Sequence, residues 1–118
     1  MRYLIVMFLT VLSIPALGGE AGMMVGGSGG AGCGRYLEYR NSDNINEKNA
    51  VTTQTREWGN GYLAGYSSAI YKPNVVLDLS VDNATMSAWI DRWCSDNPLG
   101  TVMGAMAALR TKLAAQKR

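Results

Sequence analysis

Apolar residues recur at three- and four-residue steps along the C-terminal third of the chain. Met86, Trp89, Ile90 and Trp93 follow this spacing, which places side chains on one face of a helix. The same spacing continues after Pro98 at Leu99, Val102, Met106, Leu109 and Leu113. The pattern therefore predicts two packed helices. Asn97 is a good N-cap and Pro98 suits a first helical position, so the sequence predicts that the last helix begins there.

The middle of the chain predicts a long helix over residues 51–71. Trp58, Tyr62, Tyr66 and Ile70 lie at four-residue steps, and Gly61, Gly65 and Ala69 form a parallel stripe of small residues. We expect the face bearing Gly61 and Gly65 to contact the helix of Trp89 and Trp93, so that Gly65→Leu would overpack the interface. A ligand groove floored by these glycines and walled by tyrosines is the alternative. The expected core and packing residues are Trp58, Tyr62, Gly65, Tyr66, Trp89, Ile90, Trp93, Pro98, Leu99, Met106 and Leu109.

The remaining segments give weaker patterns. Residues 33–40 favour a short first helix, and the polar stretch 41–49 favours a loop. Pro73 disfavours helix in the residue before it and so ends the long helix. We interpret residues 75–81 as a loop that packs Val76, Leu77 and Leu79 onto the helices. Asp82 or Asn83 then caps the next helix.

The first 32 residues have the layout of a secretory leader and a tether. Arg2 precedes an apolar run over residues 3–12, which Pro15 ends, and small residues permit cleavage after Gly18 or Ala21. The glycine-dense stretch after it is typical of a flexible linker. The expected organisation is a signal peptide at 1–21, a Gly-rich flexible linker at 22–32 and a helical domain at 33–118. This predicts secretion to the periplasm, with membrane attachment only if the leader stays uncleaved.

Composition removes several classes of function. The 118 residues contain no histidine, the commonest general base and metal ligand. We therefore expect a protein that is not an enzyme and that has no cofactor or metal. The formal net charge is +2, without a basic cluster outside the C-terminal tail. This argues against binding to nucleic acid, which needs a clustered basic face.

The chain has two cysteines, Cys33 and Cys94. In an oxidising compartment the simplest interpretation is one disulfide between them. Two free thiols or one redox-active thiol remain as alternatives, although neither cysteine lies in a C-x-x-C motif. A disulfide would close a loop of some sixty residues and contribute roughly 4 kcal/mol on the chain-entropy model.

The layout of the chain resembles two groups of small periplasmic helical proteins. The features that carry the resemblance are a leader, an early cysteine, the central WGNGYLAGY at 58–66 and the corner Trp89-x-x-x-Trp93-Cys94-x-x-Asn97-Pro98. The two groups are the HdeA/HdeB acid-stress chaperones and the Tai-type immunity proteins of type VI secretion. The resemblance covers roughly residues 33–114. It implies an all-α domain of four to five helices stapled by one disulfide.

The function that this reasoning favours is a secreted protein-binding module of an inhibitory, immunity or adaptor kind. The partner would be an effector, a client or an envelope component, and a homodimer is compatible with either family. Binding residues tend to lie in loops between helices. The candidates are Asn44, Asn46, Lys72, Asn74 and Asp78. The alternative is an HdeA-like chaperone, in which acid loosens a dimer and exposes its apolar surface.

Overall fold

The computed structural model describes residues 27–70, 72–73 and 78–116. In these residues the chain forms a 3-10 turn at Gly27–Gly30 and four α-helices, with no β-strand. The helices are α1 (Cys33–Arg40), α2 (Ile45–Ala69), α3 (Asn83–Asp96) and α4 (Val102–Gln116). The all-α prediction is thus confirmed. None of these helices is both long and apolar enough to cross a bilayer. The predicted signal peptide lies outside the described residues.

Helix α2 begins earlier than its apolar pattern predicts. The side-chain oxygen of Asn44 accepts hydrogen bonds from the backbone N–H groups of Asn46, at 3.0 Å, and Glu47, at 3.5 Å. These bonds satisfy backbone N–H groups that have no partner within the first helical turn. The negative charge of Glu47 in that turn also interacts favourably with the positive end of the helix dipole. The predicted loop at 41–49 is therefore wrong from Ile45 onward.

Helix α4 begins at Val102, four residues later than predicted. Asn97 closes α3, because its backbone N–H donates to the carbonyl of Trp93 at 2.9 Å. The next residues stay non-helical since the chain pairs here with the segment before α1. Cys33 N donates to Gly100 O at 2.9 Å, and Val102 N donates to Ala31 O at 3.0 Å.

Pro98 and Leu99 consequently lie in an exposed turn, where Leu99 is 100% exposed. Both were expected in the core, and that expectation is wrong. The actual N-cap of α4 is Thr101, whose hydroxyl oxygen accepts from the N–H of Gly104 at 3.1 Å.

The core lies where α1, α2, α3 and α4 meet. Ile90, Met106 and Leu109 are buried, as predicted. The predicted aromatic residues are half-buried and pack against the same core: Trp58, Tyr62, Tyr66, Trp89 and Trp93. Leu79 is buried as expected, whereas Val76 and Leu77 lie outside the described residues.

The packing expected of the helix glycines is wrong. A Cβ added at Gly61 or Gly65 would meet nothing within 4 Å, so this face of α2 does not contact α3. Gly59 is buried instead, and a Cβ there would lie 2.6 Å from Met86 Sδ. Each residue turns the helix by about 100°, and the core-facing side of α2 is set by Gly59 and Leu63 rather than by Gly61 and Gly65.

The glycine segment before α1 also differs from its expected state. Gly29 is buried in the 3-10 turn, and a Cβ there would overlap the Trp58 ring. Gly32 forms an antiparallel bridge with Thr101. Over 27–32, the chain is therefore packed on α2 and on the start of α4 rather than forming a flexible linker, while residues 22–26 are outside the described range.

The predicted disulfide between Cys33 and Cys94 is present, with the two Cα atoms 4.9 Å apart. Both residues are fully buried. The bond joins the first residue of α1 to the last turn of α3. It fixes α1 against α3, and α1 also packs beside α2, where the two helices form the walls of a groove.

Candidate functional site

A groove of about 700 Å³ runs between α1 and the first half of α2. We call it the α1–α2 groove. Its wall on α1 is formed by Arg35, Tyr36 and Tyr39, and its wall on α2 by Glu47, Ala50, Val51, Gln54, Thr55, Glu57 and Trp58. Gly27, Ser28 and Ala31 complete it from the segment before α1. An apolar cleft with a few polar groups is the usual form of a ligand site.

The α1 wall is fixed by a polar network that reaches both α2 and α3. The hydroxyl of Tyr36 donates to Asp91 Oδ1 at 2.7 Å, and Arg40 Nε donates to the same oxygen at 3.2 Å. Arg40 Nη1 also donates to the hydroxyl of Thr52 at 3.1 Å. Together with the disulfide, these bonds hold α1 at both of its ends.

The phenol of Tyr36 takes part in this network from a buried position. Burial raises the pKa of Tyr36 well above its ordinary value, and the hydrogen bond to Asp91 adds to the shift. The phenol therefore stays protonated and continues to donate to Asp91 at pH values where a solvated tyrosine ionises.

Trp58 forms the C-terminal end of the α2 wall. Its ring stacks on Tyr62 with centroids 5.4 Å apart and planes inclined by 21°. Arg110 of α4 also contacts Tyr62, since its Nη1 donates to the Tyr62 hydroxyl at 2.7 Å. The same guanidinium lies 4.2 Å from the centre of the Tyr66 ring. The aromatic stripe of α2 thus contacts α4, while Gly61 and Gly65 are exposed.

Thr55 is a buried polar residue in the lining of the groove. It is only 3% exposed, and its Oγ1 has no hydrogen-bond partner in the described part of the chain. A buried hydroxyl without a partner costs about 1–3 kcal/mol. A threonine in a helix has two accessible χ1 rotamers, in one of which the hydroxyl can bond the carbonyl of residue i−3 or i−4.

Charged residues lie along both walls. Arg35 on α1 is engaged with Tyr39, because its Nη2 donates to the Tyr39 hydroxyl at 3.0 Å and its guanidinium lies 5.3 Å from the ring centre. Glu47 on α2 accepts from the hydroxyl of Ser42 at 2.7 Å. Glu57 lies ten residues further along α2, a distance of about 15 Å at 1.5 Å per residue.

The five predicted partner-binding residues do not form one surface. Asn44 and Asn46 lie at the start of α2, whereas Lys72 follows its other end and Asp78 lines a small pocket with Asn60, Ala64 and Ser67 of its second half. Asn74 is outside the described residues. The 25 residues of α2 span about 37 Å. Asn44 has a structural role as the helix cap, and Asp78 accepts a hydrogen bond from Ser80 N at 2.8 Å.

Sequence reasoning missed the groove in part because the first turn of α2, which carries Glu47, was assigned to the loop at 41–49. The signal that was available is Asn44 followed three residues later by Glu47, the spacing of a helix N-terminus with a polar residue at the cap and an acid in the first turn. With that start, Val51, Thr55 and Trp58 fall on one helical face. No local signal indicates that residues 27–31 fold onto it.

Within residues 27–70, 72–73 and 78–116, no three His, Cys, Asp or Glu side chains approach closely enough to hold a metal ion. Comparison of the chain with protein-family models, with curated proteins and with solved structures gave no match. The resemblance to the HdeA/HdeB and Tai-type proteins therefore stays a hypothesis, and the functional argument depends on the geometry of the groove.

Proposed function

We propose that this chain is a secreted, non-enzymatic protein-binding module of an inhibitory or adaptor kind, and that the α1–α2 groove is its binding surface. The observation that carries the proposal is the groove itself, an apolar cleft of about 700 Å³ whose lining includes Thr55, a buried residue whose hydroxyl has no partner among the described residues. Apolar clefts that contain a few polar groups are suited to anchoring a side chain and orienting the chain that bears it.

Two further features support this proposal. The disulfide and the Tyr36–Asp91–Arg40 network hold the α1 wall in place, so the groove is preformed, which lowers the entropic cost of binding. The disulfide is also compatible with the oxidising periplasm that the leader predicts.

The test compares the oxidised protein with two tryptophan variants of α2. Ala50 lines the groove and is exposed, so Ala50→Trp fills the cleft without entering the core. Thr53 is exposed on the same helix but does not line the groove, which makes Thr53→Trp the matched control. Each tagged protein is used to capture partners from cell-envelope extract at pH 7 and near pH 3, and bound proteins are identified by mass spectrometry.

We expect one stoichiometric partner at pH 7 with the wild type and with Thr53→Trp, and its loss with Ala50→Trp. Capture that survives Ala50→Trp would contradict the assignment of the groove. Many clients captured only near pH 3, regardless of the substitution, would replace the proposal with the acid-stress chaperone.

A further inference from the structure

We infer that the α1–α2 groove binds an extended segment of its partner in which one apolar residue is flanked by basic residues two positions away on each side. This inference depends on the proposed function and adds the chemistry of the partner. It draws on the length of the groove, the charges on its two walls and the unpartnered hydroxyl in its lining.

The length of the groove selects a short segment. Its α2 wall extends from Glu47 to Trp58, about 16 Å along the helix axis. An extended chain advances about 3.3 Å per residue, so about five residues fill this length. Between the two ends lie Ala50 and Val51, with Tyr39 on the opposite wall. This apolar middle takes one apolar side chain from the centre of the segment.

The charges on the walls select the flanking residues. Glu47 and Glu57 mark the two ends of the α2 wall, and in the described residues neither carboxylate forms a salt bridge. Glu47 accepts a hydrogen bond from the Ser42 hydroxyl, but this neutral partner does not cancel the negative charge of the carboxylate. Arg35 on the other wall binds the neutral Tyr39 and keeps its positive charge, so the groove lining carries two negative charges and one positive charge. Two basic residues four positions apart in an extended segment are about 13 Å apart, close to the roughly 15 Å between these acids.

Thr55 adds a contact to the backbone of the segment. It lies on the α2 wall one helical turn after Val51, and its hydroxyl can both donate and accept. Its Oγ1 is shielded from solvent in the structure, so a backbone amide of the segment reaches this hydroxyl after rotation about χ1. A threonine that serves only structure would gain nothing from a peptide, so binding and stability respond differently to its replacement.

Three blocked pentapeptides test the inference by NMR titration of the isotope-labelled, oxidised protein at low salt: Lys-Ala-Leu-Ala-Lys, Glu-Ala-Leu-Ala-Glu and Lys-Ala-Gly-Ala-Lys. We expect the first to bind at least about fivefold more tightly than either of the others. Glu57→Gln should weaken its binding by about two- to fivefold, in the range of an exposed ion pair. Glu38→Gln is the control and should leave binding unchanged, because Glu38 is exposed on α1 and does not line the groove.

Thr55→Val tests whether the Thr55 hydroxyl contacts the ligand or is only a destabilising buried polar group. It removes the hydroxyl at nearly constant shape, so we expect the melting temperature to rise while affinity for the lysine peptide falls, and Thr55→Ser should keep the wild-type affinity. An unchanged affinity in Thr55→Val would overturn the backbone contact.

The outcomes also separate this inference from the function on which it depends. Equal binding of the lysine and glutamate peptides, abolished by Ala50→Trp, would overturn the charge preference and leave the groove as the binding surface. Absence of binding by all three peptides would overturn the inference, while partner capture blocked by Ala50→Trp would still support the function. A wild-type dimer that Ala50→Trp dissociates would place a second copy in the groove and overturn the inference.

Discussion

The segment Gly27–Gly30 and residues 61–65 of α2 both contain glycines, yet the backbones at Gly29 and at the two α2 glycines have opposite surroundings. The backbone of the first lies against the Trp58 ring, which leaves no room for a Cβ at Gly29. The second exposes Gly61 and Gly65 to open space. Absence of a side chain is required in the first region, whereas in the second it only costs helix stability. The comparison teaches that the role of a glycine depends on which atoms lie close to its backbone. The number of glycines in a segment does not reveal this role.

The first region depends on the bond that fixes α1, so removing that bond should have the largest effect. Replacing Cys33 and Cys94 together with serine frees a loop with a sequence separation of 61. The chain-entropy model gives a loss of about 4 kcal/mol in the free energy of unfolding. Urea denaturation of the double variant and the oxidised wild type measures it. A loss below about 1 kcal/mol would show that α1 is held chiefly by its other contacts.

The close approach of Gly29 to Trp58 can be broken by a single methyl group. Gly29→Ala should lower the free energy of unfolding by about 1–3 kcal/mol through overpacking, because the added Cβ would overlap the indole ring. Gly32→Ala is the matched control in the same segment. A Cβ at Gly32 meets nothing within 4 Å, so its denaturation midpoint should stay near that of the wild type. Equal effects of the two variants would contradict the packed arrangement of this segment.

The polar attachment of α1 should respond to alkaline pH. Tyr36→Phe removes the hydrogen bond to Asp91 and should cost about 1 kcal/mol at neutral pH. Since the pKa of Tyr36 is raised on folding, its contribution is fully present below about pH 10, where tyrosine ionises in unfolded chains. Above that pH the unfolded state loses its proton first, and the contribution declines as pH rises.

Denaturation of the wild type and Tyr36→Phe at several pH values between 8 and 11 checks this prediction. The stability of the wild type should fall more steeply above pH 10 than that of the variant. Parallel curves would show that the phenol is not held protonated by the fold.

The open region of α2 should give the smallest change, and with the opposite sign. Gly65→Ala adds a methyl group that meets nothing and replaces a poor helix former with the best one. We expect a gain of about 0.5–1 kcal/mol, measured as a rise in the denaturation midpoint, and a similar gain for Gly61→Ala. Destabilisation by either substitution would indicate that this face is covered in solution, for example by a second copy of the chain.

Local signals fixed most of the helix boundaries correctly. Asp82 caps α3 as predicted, with its carboxylate accepting from Thr85 N at 2.8 Å, because this bond forms within three residues of sequence. The corner at Asn97 and Pro98 has an equally good local signal, but α4 starts elsewhere. There the backbone of Gly100 and Val102 pairs with a segment almost seventy residues earlier, and this pairing outweighs the preference of the Asn-Pro pair for a helix start.

The candidate site was harder to predict than the helices. Trp58 was correctly assigned to packing, but its packing partner is a glycine segment whose composition indicates a linker. Arg35, Tyr39 and Thr55 carry no motif, and they come together only because α1 folds back along α2. The loop residues chosen by their polarity, Asn44 and Lys72, lie beyond opposite ends of one long helix.

The sequence by itself determined the helical class, the buried face of α3 and the pairing of the two cysteines of the chain. Helix periodicity and caps are local signals, and two cysteines can form only one intramolecular disulfide. The tertiary structure alone decided which glycines are packed, where α4 begins and that a groove exists between α1 and α2. These features depend on contacts between residues distant in the chain. Backbone pairing between distant segments, and packing of an aromatic ring on a glycine, produce no periodic pattern in the sequence of either partner.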